Sequence, residues 1–265
     1  MKRFAWASLL LLAAAAAAVP MSSRPGYPPP QSGAATPPVP VVVELFTSEG
    51  CSSCPAADAA LREMEAAQSV PGVEIIALGQ HVDYWNRLGW KDAFSSAQFT
   101  ERQRWYAQGF GTGSYTPQAV VNGRYELVGS QRAALLAAAT KAARAPRATV
   151  ALARAANGAL TVQVHSLPTG TPTSTVQLAL TETGLSSQVG AGENSGRLLR
   201  HSAVVRSLRA LGTVAADGTF AATVPLILDA GWKPQNLRAV VLVQEQASHH
   251  VVGAASLPLG NVALR

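Results

Sequence analysis

The segment VELFTSEGCSSCPAADAAL places two cysteines between a predicted strand and a predicted helix. Val41–Phe46 is a β-branched, largely apolar run, which is typical of a strand buried on both faces. From Ser52 onward, apolar residues recur at spacings of three and four, which predicts a helix with one buried face. Cys51 and Cys54 are the only cysteines in the chain, so its sole Cys-x-x-Cys pair lies at this strand-to-helix junction.

The N-terminus has the pattern of a secretory signal. Lys2 and Arg3 precede an apolar run, Phe4–Val19, that ends in small residues. The run is shorter than the roughly 20 residues that a membrane-spanning helix needs. We therefore predict a signal peptide over residues 1–18 and a proline-rich linker over residues 19–40. The mature protein is expected to be secreted or periplasmic, with no stable membrane span after cleavage, in a compartment where disulfides persist.

The remaining sequence divides into two patterns. Residues 41–146 predict the element order β-α-β-α-β-β-α, with a hairpin turn at Asn122-Gly123. Residues 147–265 alternate between apolar and polar side chains and predict six or more strands, one of them spanning RHSAVVRSLRAL. The predicted fold class is therefore an α/β domain followed by an all-β domain, an antiparallel sandwich in type.

The charge pattern excludes one class of partner. The net charge is +6, but the basic residues are scattered along the chain and form no block. We therefore expect no nucleic-acid partner. With 48% hydrophobic and 14% charged residues, the chain has enough apolar material for a folded core.

The α/β segment resembles thioredoxin-like domains. GCSSCP stands where these domains carry the redox motif, and Thr116-Pro117, directly before the predicted hairpin, stands where they carry a cis-proline turn. Longer segments resemble a family of bacterial secreted proteins known as domain of unknown function 1223; they are VELFTSEGCSSCPAADAAL, HVDYWNRLGWKDAFSSAQFTERQRWYA, YTPQAVVNGR and GENSGRLLRHSAVVR. The resemblance implies a thioredoxin-like fold and export, and it implies no established activity.

The residues at this junction favour a thiol–disulfide oxidoreductase that acts on protein thiols or disulfides. Cys51 would attack or be attacked, and Cys54 would resolve the mixed disulfide, so the pair itself takes the place of a cofactor. By resemblance, Pro117 would shape the peptide-binding surface, and Glu44 in the first strand would accept a proton from the buried thiol. His81, at the end of the second predicted strand, is a candidate proton shuttle.

Alternatives remain open for each of these roles. Glu44 also fits an ordinary strand glutamate that points to solvent or pairs with an arginine, and His81 also fits a histidine bonded to a backbone carbonyl. The chain also fits a non-catalytic periplasmic binding module with a fixed disulfide. A third alternative is copper binding or delivery, with Cys51, Cys54 and His81 as soft ligands. The Ser-Ser dipeptide between the cysteines favours a thiolate and Glu49 opposes it, so the direction of electron flow stays open.

Two further groups of polar residues are expected to have structural rather than catalytic roles. Arg102 and Arg104 lie in a predicted helix and are expected to be solvated charges. Glu193, Arg197 and His201 recur within a short span, and we expect them to stabilise a loop rather than to form a site.

Overall fold

The computed structural model describes residues 37–260 together with Met1, so the predicted signal peptide and most of the predicted linker lie outside the described residues. The helices are α1 (Cys54–Ala67), α2 (Ala97–Phe110) and α3 (Arg132–Ala142). The strands of the first half are β1 (Val39–Thr47), β2 (Val73–His81), β3 (Gln118–Val121) and β4 (Tyr125–Val128). Those of the second half are β5 (Thr149–Arg154), β6 (Leu160–His165), β7 (Ser174–Glu182), β8 (Leu185–Gln188), β9 (Leu198–His201), β10 (Val204–Thr213), β11 (Phe220–Val224), β12 (Leu237–Glu245) and β13 (Val251–Pro258).

Strands from both halves of the chain form one eight-stranded mixed sheet, in the order β13-β12-β7-β10-β2-β1-β3-β4. The predicted fold class, a thioredoxin-like α/β domain followed by a separate β domain, is therefore wrong. The two halves meet where β10 pairs in parallel with β2, at Val204 and Gly79. The Gly79 N–H donates to the carbonyl of Ala203 at 2.8 Å, and a Cβ on Gly79 would lie 3.2 Å from the carbonyl oxygen of Ser202. Because β2 is buried on both faces, its free edge needs such a partner strand.

Alternate residues of β1 face different layers. Val43 and Leu45 pack with α1 and α3 in one hydrophobic cluster. Val42 and Phe46 point the other way, where they belong to clusters that include Phe99 and Tyr106 of α2. Because side chains alternate along a strand, Glu44 shares the α2 face of the sheet.

A smaller sheet covers part of the large one. Its order is β11-β6-β5, and its buried residues pack against β7 and β12 in a second hydrophobic core. β8 and β9 pair only with each other as a separate two-stranded ribbon. The segment RHSAVVRSLRAL, predicted as one strand, is divided because Ala203 has a positive φ of 50° and separates β9 from β10.

No helix within residues 37–260 is both long and apolar enough to cross a membrane.

Candidate functional site

Cys51 and Cys54 form a disulfide, which confirms the prediction that these residues pair. Their Cα atoms lie 5.4 Å apart, and the Cys54 N–H donates to the Cys51 carbonyl at 3.2 Å. Because β1 ends at Thr47 and α1 begins at Cys54, the bond lies at the start of the helix. Both cysteines are buried, with 1% and 0% of their surfaces exposed, whereas the two intervening serines are exposed.

A ribbon from the second half of the chain covers this loop. We call β8, residues 189–197 and β9 the covering hairpin. Asn194 is fully buried, and its Nδ2 donates to the carbonyl oxygens of Glu49 and Cys51, each at 2.9 Å. Arg197 Nη1 donates to Asn194 Oδ1 at 2.7 Å and so holds the amide in place. The cysteine loop is therefore fixed by a side chain that lies more than 140 residues further along the chain.

Two more contacts join the covering hairpin to the loop. The Ser52 N–H donates to Glu193 Oε2 at 2.9 Å, and hydrogen bonds from Ser52 lower the pKa of Glu193. His201 Nε2 lies 3.1 Å from Glu49 Oε1. Glu193, Arg197 and His201 thus stabilise the covering hairpin and the cysteine loop, as expected, but they also lie at the candidate site, which the sequence did not predict.

Pro117 is linked to the cysteine loop through Trp85. The Thr116–Pro117 bond is cis, and Pro117 is buried. Trp85 Nε1 donates to Thr116 Oγ1 at 2.8 Å, while a Cβ on Gly50 would lie 3.2 Å from Trp85 Cβ. Trp85 therefore connects the residue before Cys51 to the residue before Pro117.

His81 ends β2 beneath this loop, and it is 1% exposed. Its Nδ1 lies 2.7 Å from Asp92 Oδ2, so its partner is a carboxylate rather than a backbone carbonyl. Burial lowers the pKa of His81, but the carboxylates of Asp92, Asp58 and Glu49 together raise it, Asp92 most strongly, and the net direction is upward. Burial likewise raises the pKa of Asp92, but charged His81 outweighs this effect and the net direction is downward. The two shifts describe an ion pair of imidazolium and carboxylate.

A second histidine completes a buried group that we call the histidine–carboxylate cluster; its members are Glu49, Asp58, His81, Asp92 and His201. The rings of His81 and His201 lie edge to face with centroids 4.8 Å apart. His201 Nδ1 lies 3.7 Å from Asp58 Oδ2 and has no hydrogen-bond partner among the described residues. Burial raises the pKa of Asp58, and the nearby His81 and His201 only partly offset it. Burial raises the pKa of Glu49 too, but its hydrogen bond with His201 gives a net lowering.

The structure does not bring Glu44 to the cysteines. Glu44 is fully buried on the α2 face, whereas α1 and the disulfide loop pack on the opposite face of β1. Its carboxylate accepts from Arg102 Nε at 2.6 Å and from Arg102 Nη2 at 3.0 Å. Tyr106 Oη and Gln80 Nε2 donate to it as well. We call these four residues and Gln244, which bonds both Arg102 and Tyr106, the Glu44 network.

The expectation of solvated arginines was wrong for Arg102, which is buried, and right for Arg104, which is exposed and paired with Glu101. In the part of the chain that the structure describes, no group of three or more His, Cys, Asp or Glu side chains is arranged to hold a metal ion. The copper alternative named Cys51, Cys54 and His81; its two sulfurs are bonded to each other here.

Comparison with known proteins identifies a family for this chain. Residues 42–244 match the family described as Protein of unknown function (DUF1223). The chain belongs to this family. It is also similar to the crystal structure of protein AGR_C_4864 from Agrobacterium tumefaciens, with 30% sequence identity and a TM-score of 0.69, over 87% of this chain and 99% of that chain.

A second solved structure is a domain of the outer membrane lipoprotein Omp28 from Porphyromonas gingivalis. It covers 43% of this chain and 94% of its own, at 13% identity, and its TM-score of 0.23 is too low to indicate a shared fold. No curated protein matches the chain.

Three residues of the site were missed at the level of sequence: Asp58, Asp92 and Asn194. For Asp58 a signal exists, because it lies four residues after Cys54 and next to Ala57 on the buried side of α1. Asn194 lies within GENSGRLLRHSAVVR, the only part of the family resemblance in the second half of the chain. Asp92 lies within HVDYWNRLGWKDAFSSAQFTERQRWYA, another segment of the family resemblance, but its partners are fixed only by the fold.

Proposed function

We propose that the protein exchanges its Cys51–Cys54 disulfide with the thiols or disulfides of other proteins outside the cytosol. The observation that carries this proposal is the histidine–carboxylate cluster packed against the disulfide loop at the start of α1. Perturbed titratable groups gathered at one place are characteristic of reactive sites.

A purely structural role explains this arrangement poorly. A disulfide that closes so short a loop removes little conformational entropy from the unfolded chain, so its stabilisation is small. Burying several charged side chains beside it costs free energy that an apolar core would not. A role in chemistry at the sulfur atoms explains the short disulfide loop and the buried charges together better than a role in stability does.

The exchange step follows from the positions of the two sulfurs. An incoming thiolate attacks Sγ of Cys51, the Cys51–Cys54 bond breaks, and its electron pair leaves on Sγ of Cys54. Ser53 Oγ lies 3.3 Å from Cys51 Sγ, and the start of α1 offers unpaired N–H groups, so a thiolate on Cys51 is stabilised there. The Cys54 thiolate is fully buried and therefore needs a proton.

Asp58 is placed to supply that proton. It lies one helical turn after Cys54 on the same side of α1, and burial raises its pKa so that it holds a proton more readily than an exposed aspartate. When Asp58 gives its proton to Cys54, the carboxylate that forms faces His201 Nδ1 at 3.7 Å. His201 Nδ1, which has no hydrogen-bond partner among the described residues in the disulfide form, thus gains the Asp58 carboxylate as a partner in the dithiol form.

Access to the disulfide depends on the covering hairpin. With Cys51 1% exposed, a client sulfur reaches it only after the contacts of Asn194 and Glu193 with the loop have opened. Local opening of this kind costs less than global unfolding. The exposed Ser52 and Ser53 mark the side from which the client approaches.

Location outside the cytosol rests on the sequence. The N-terminal signal pattern and the resemblance to secreted proteins support export, and oxidising compartments keep such a disulfide formed.

One observation favours a second candidate function. Both cysteines are buried, which is the arrangement expected of an inert disulfide in a non-catalytic binding module. The two candidates differ in how readily the bond is reduced and in whether it ever joins another protein.

A redox titration separates them. The protein is equilibrated with dithiothreitol buffers, and the free thiols are counted by alkylation and mass spectrometry. We expect a reduction potential above about −300 mV, outside the range of inert structural disulfides. We also expect Cys54→Ser to trap mixed disulfides with secreted proteins through Cys51, while Cys51→Ser, the matched control, traps far fewer. A potential below about −300 mV together with no mixed disulfide in either variant would establish the fixed disulfide instead.

A further inference from the structure

A cavity lined in part by three arginines borders the site at His201. Its volume is about 700 Å³, and it is bounded by the outer side of α1, the covering hairpin and the ends of β7 and β12. The volume falls within the range of roughly 300–1,000 Å³ that is usual for ligand sites. Three arginines from three different elements converge on it, namely Arg62, Arg200 and Arg238. We call it the arginine cleft.

The charges in the arginine cleft do not balance. Its lining includes one carboxylate, Glu65, which accepts a hydrogen bond from Ser202. Against it stand three guanidinium groups, which remain charged at every physiological pH. Arg238 shares part of its charge with Glu74, 3.7 Å away just outside the cleft. The lining therefore carries a surplus of positive charge in a concave space, where the electrostatic field is strengthened.

Two of the arginines are already held in position. Arg62 Nη1 donates to the carbonyl of Arg200 at 3.0 Å, and Arg238 Nη1 donates to Ser256 Oγ at 2.6 Å. Each of these groups keeps further N–H donors, because a guanidinium carries five. A pre-positioned guanidinium loses less entropy when it binds a carboxylate, and its planar fork matches both carboxylate oxygens.

The arginine cleft borders the histidine–carboxylate cluster at His201. Arg200 directly precedes His201, which lines the cleft and also contacts Glu49, two residues before Cys51. We propose that the arginine cleft binds a carboxylate-rich segment of the client polypeptide next to the cysteine that exchanges with the disulfide. This assignment rests on the proposed function, since it names the partner of the same site. The arginine cleft thereby selects clients in which acidic residues lie close in sequence to the reactive cysteine.

Binding is tested with a peptide that has no cysteine and with the protein in its disulfide form. The probe is a fluorescein-labelled peptide of alternating glutamate and glycine, followed by anisotropy at an ionic strength of about 0.15 M, where surface charges are screened beyond about 8 Å. The comparison peptides carry glutamine or lysine in place of glutamate. We expect the glutamate peptide to bind at least about tenfold more tightly than either, as charge-assisted bidentate bonds require.

A matched pair of variants separates the arginine cleft from general attraction to a basic chain. The double variant R62Q/R200Q is expected to weaken binding of the glutamate peptide about tenfold. R144Q/R147Q removes the same charge at exposed positions between α3 and β5, and it is expected to change binding less than about twofold. Equal losses in the two double variants, or equal binding of the glutamate and glutamine peptides, would overturn the proposal.

The single variant Arg200→Gln keeps the proposal testable even if the double variant misfolds, because Arg200 is exposed and its replacement should not disturb the fold. It is expected to weaken binding about threefold while the unfolding midpoint stays unchanged, and unchanged binding would count against the arginine cleft. The redox titration uses no peptide and the binding assay uses no thiol. Failure of the arginine cleft therefore leaves the exchange reaction standing, and failure of the exchange reaction shows in the titration alone.

Discussion

Two groups of buried charges lie on different sides of the same sheet, and they differ in how completely they are paired. In the Glu44 network, both carboxylate oxygens of Glu44 accept from Arg102, and Tyr106 and Gln80 supply further donors. Every titratable group of this network is thus paired, and its one buried atom without a partner among the described residues is the neutral amide oxygen Oε1 of Gln80. In the histidine–carboxylate cluster, His201 Nδ1 has no hydrogen bond among the described residues and its nearest carboxylate is 3.7 Å away. Both groups are buried, so burial alone does not distinguish a structural network from a reactive site.

The two groups also differ in how firmly they hold their protons. Tyr106 has a pKa raised by burial, and the pKa of Arg102 is raised by Glu44 against the effect of burial, so the Glu44 network holds its protons firmly. In the histidine–carboxylate cluster, by contrast, burial raises the pKa of Asp58, and His201 Nδ1 has no hydrogen-bond partner among the described residues. The Glu44 network is therefore expected to govern stability, and the cluster to govern thiol chemistry.

The largest expected effect comes from breaking the Glu44 network. Arg102→Met leaves the Glu44 carboxylate buried without its cation, which is expected to cost about 3–5 kcal/mol of unfolding free energy. Urea denaturation measures the loss. The control on the same helix is Arg104→Met, whose exposed pair with Glu101 is expected to contribute less than about 1 kcal/mol. Similar losses in the two variants would remove the distinction between the Glu44 network and an ordinary surface pair.

Removal of the amide that holds the cysteine loop should have the next largest effect. Asn194→Ala deletes the donors to the carbonyls of Glu49 and Cys51 and is expected to cost about 1–3 kcal/mol. Because the covering hairpin then opens more often, reduction of the disulfide by dithiothreitol should accelerate about tenfold. Ser195→Ala, an exposed neighbour, serves as the control and should change the rate little. A rate unchanged in Asn194→Ala would show that the hairpin does not limit access.

The sequence predicted the local parts of this comparison well. Val41–Phe46 was predicted as a strand, the helix after Ser52 was predicted from its periodicity, and Asn122-Gly123 was predicted as a turn. In each case the signal lies within about ten residues, where apolar spacing and turn chemistry decide the structure. The Cys51–Cys54 pairing is local in the same way.

The long-range parts could not be predicted for a physical reason. The free edge of β2 can be completed by any strand of suitable length, and nothing in its own sequence selects β10 as the partner. Arg102 was taken for a surface charge because its partner Glu44 lies 58 residues earlier in the chain. Asn194 reaches the cysteine loop only because β10 joins the large sheet, so the candidate site depends on the contact that the predicted fold class lacked.

The pH dependence of stability should reveal the cluster rather than the Glu44 network. The folded pKa values of His81 and Asp58 are raised, so their contributions are complete below the unfolded values and are lost as pH rises through the folded ones. Those of Asp92 and Glu49 are lowered, so their contributions are lost as pH falls. We therefore expect maximal stability in mildly acidic solution and a thermal midpoint that falls as the pH rises above the ordinary histidine pKa of 6.5.

Asp58→Asn isolates one part of this profile. It removes a carboxyl whose ionisation in a buried position opposes folding, so the fall in midpoint as the pH rises above the ordinary aspartate pKa of 3.8 should be smaller than in the native chain. After reduction, the Cys54 thiol should also ionise at lower pH, because a neighbouring negative charge is gone, and iodoacetamide would then react faster near neutrality. Glu63→Gln, exposed on the same helix, should leave both profiles unchanged. Superimposable profiles for Asp58→Asn and the native chain would exclude Asp58 as the proton donor.

The smallest expected effect concerns the neighbour of Asn194. Glu193 also bonds the cysteine loop, through the N–H of Ser52, but it is exposed and water can replace it. Glu193→Gln keeps a side-chain oxygen for that N–H and removes only the charge. The rate of disulfide reduction should therefore change less than about twofold, and the change should vanish at high salt. A tenfold acceleration, as expected for Asn194→Ala, would mean that charge at the surface of the hairpin, rather than its buried amide, keeps the disulfide closed.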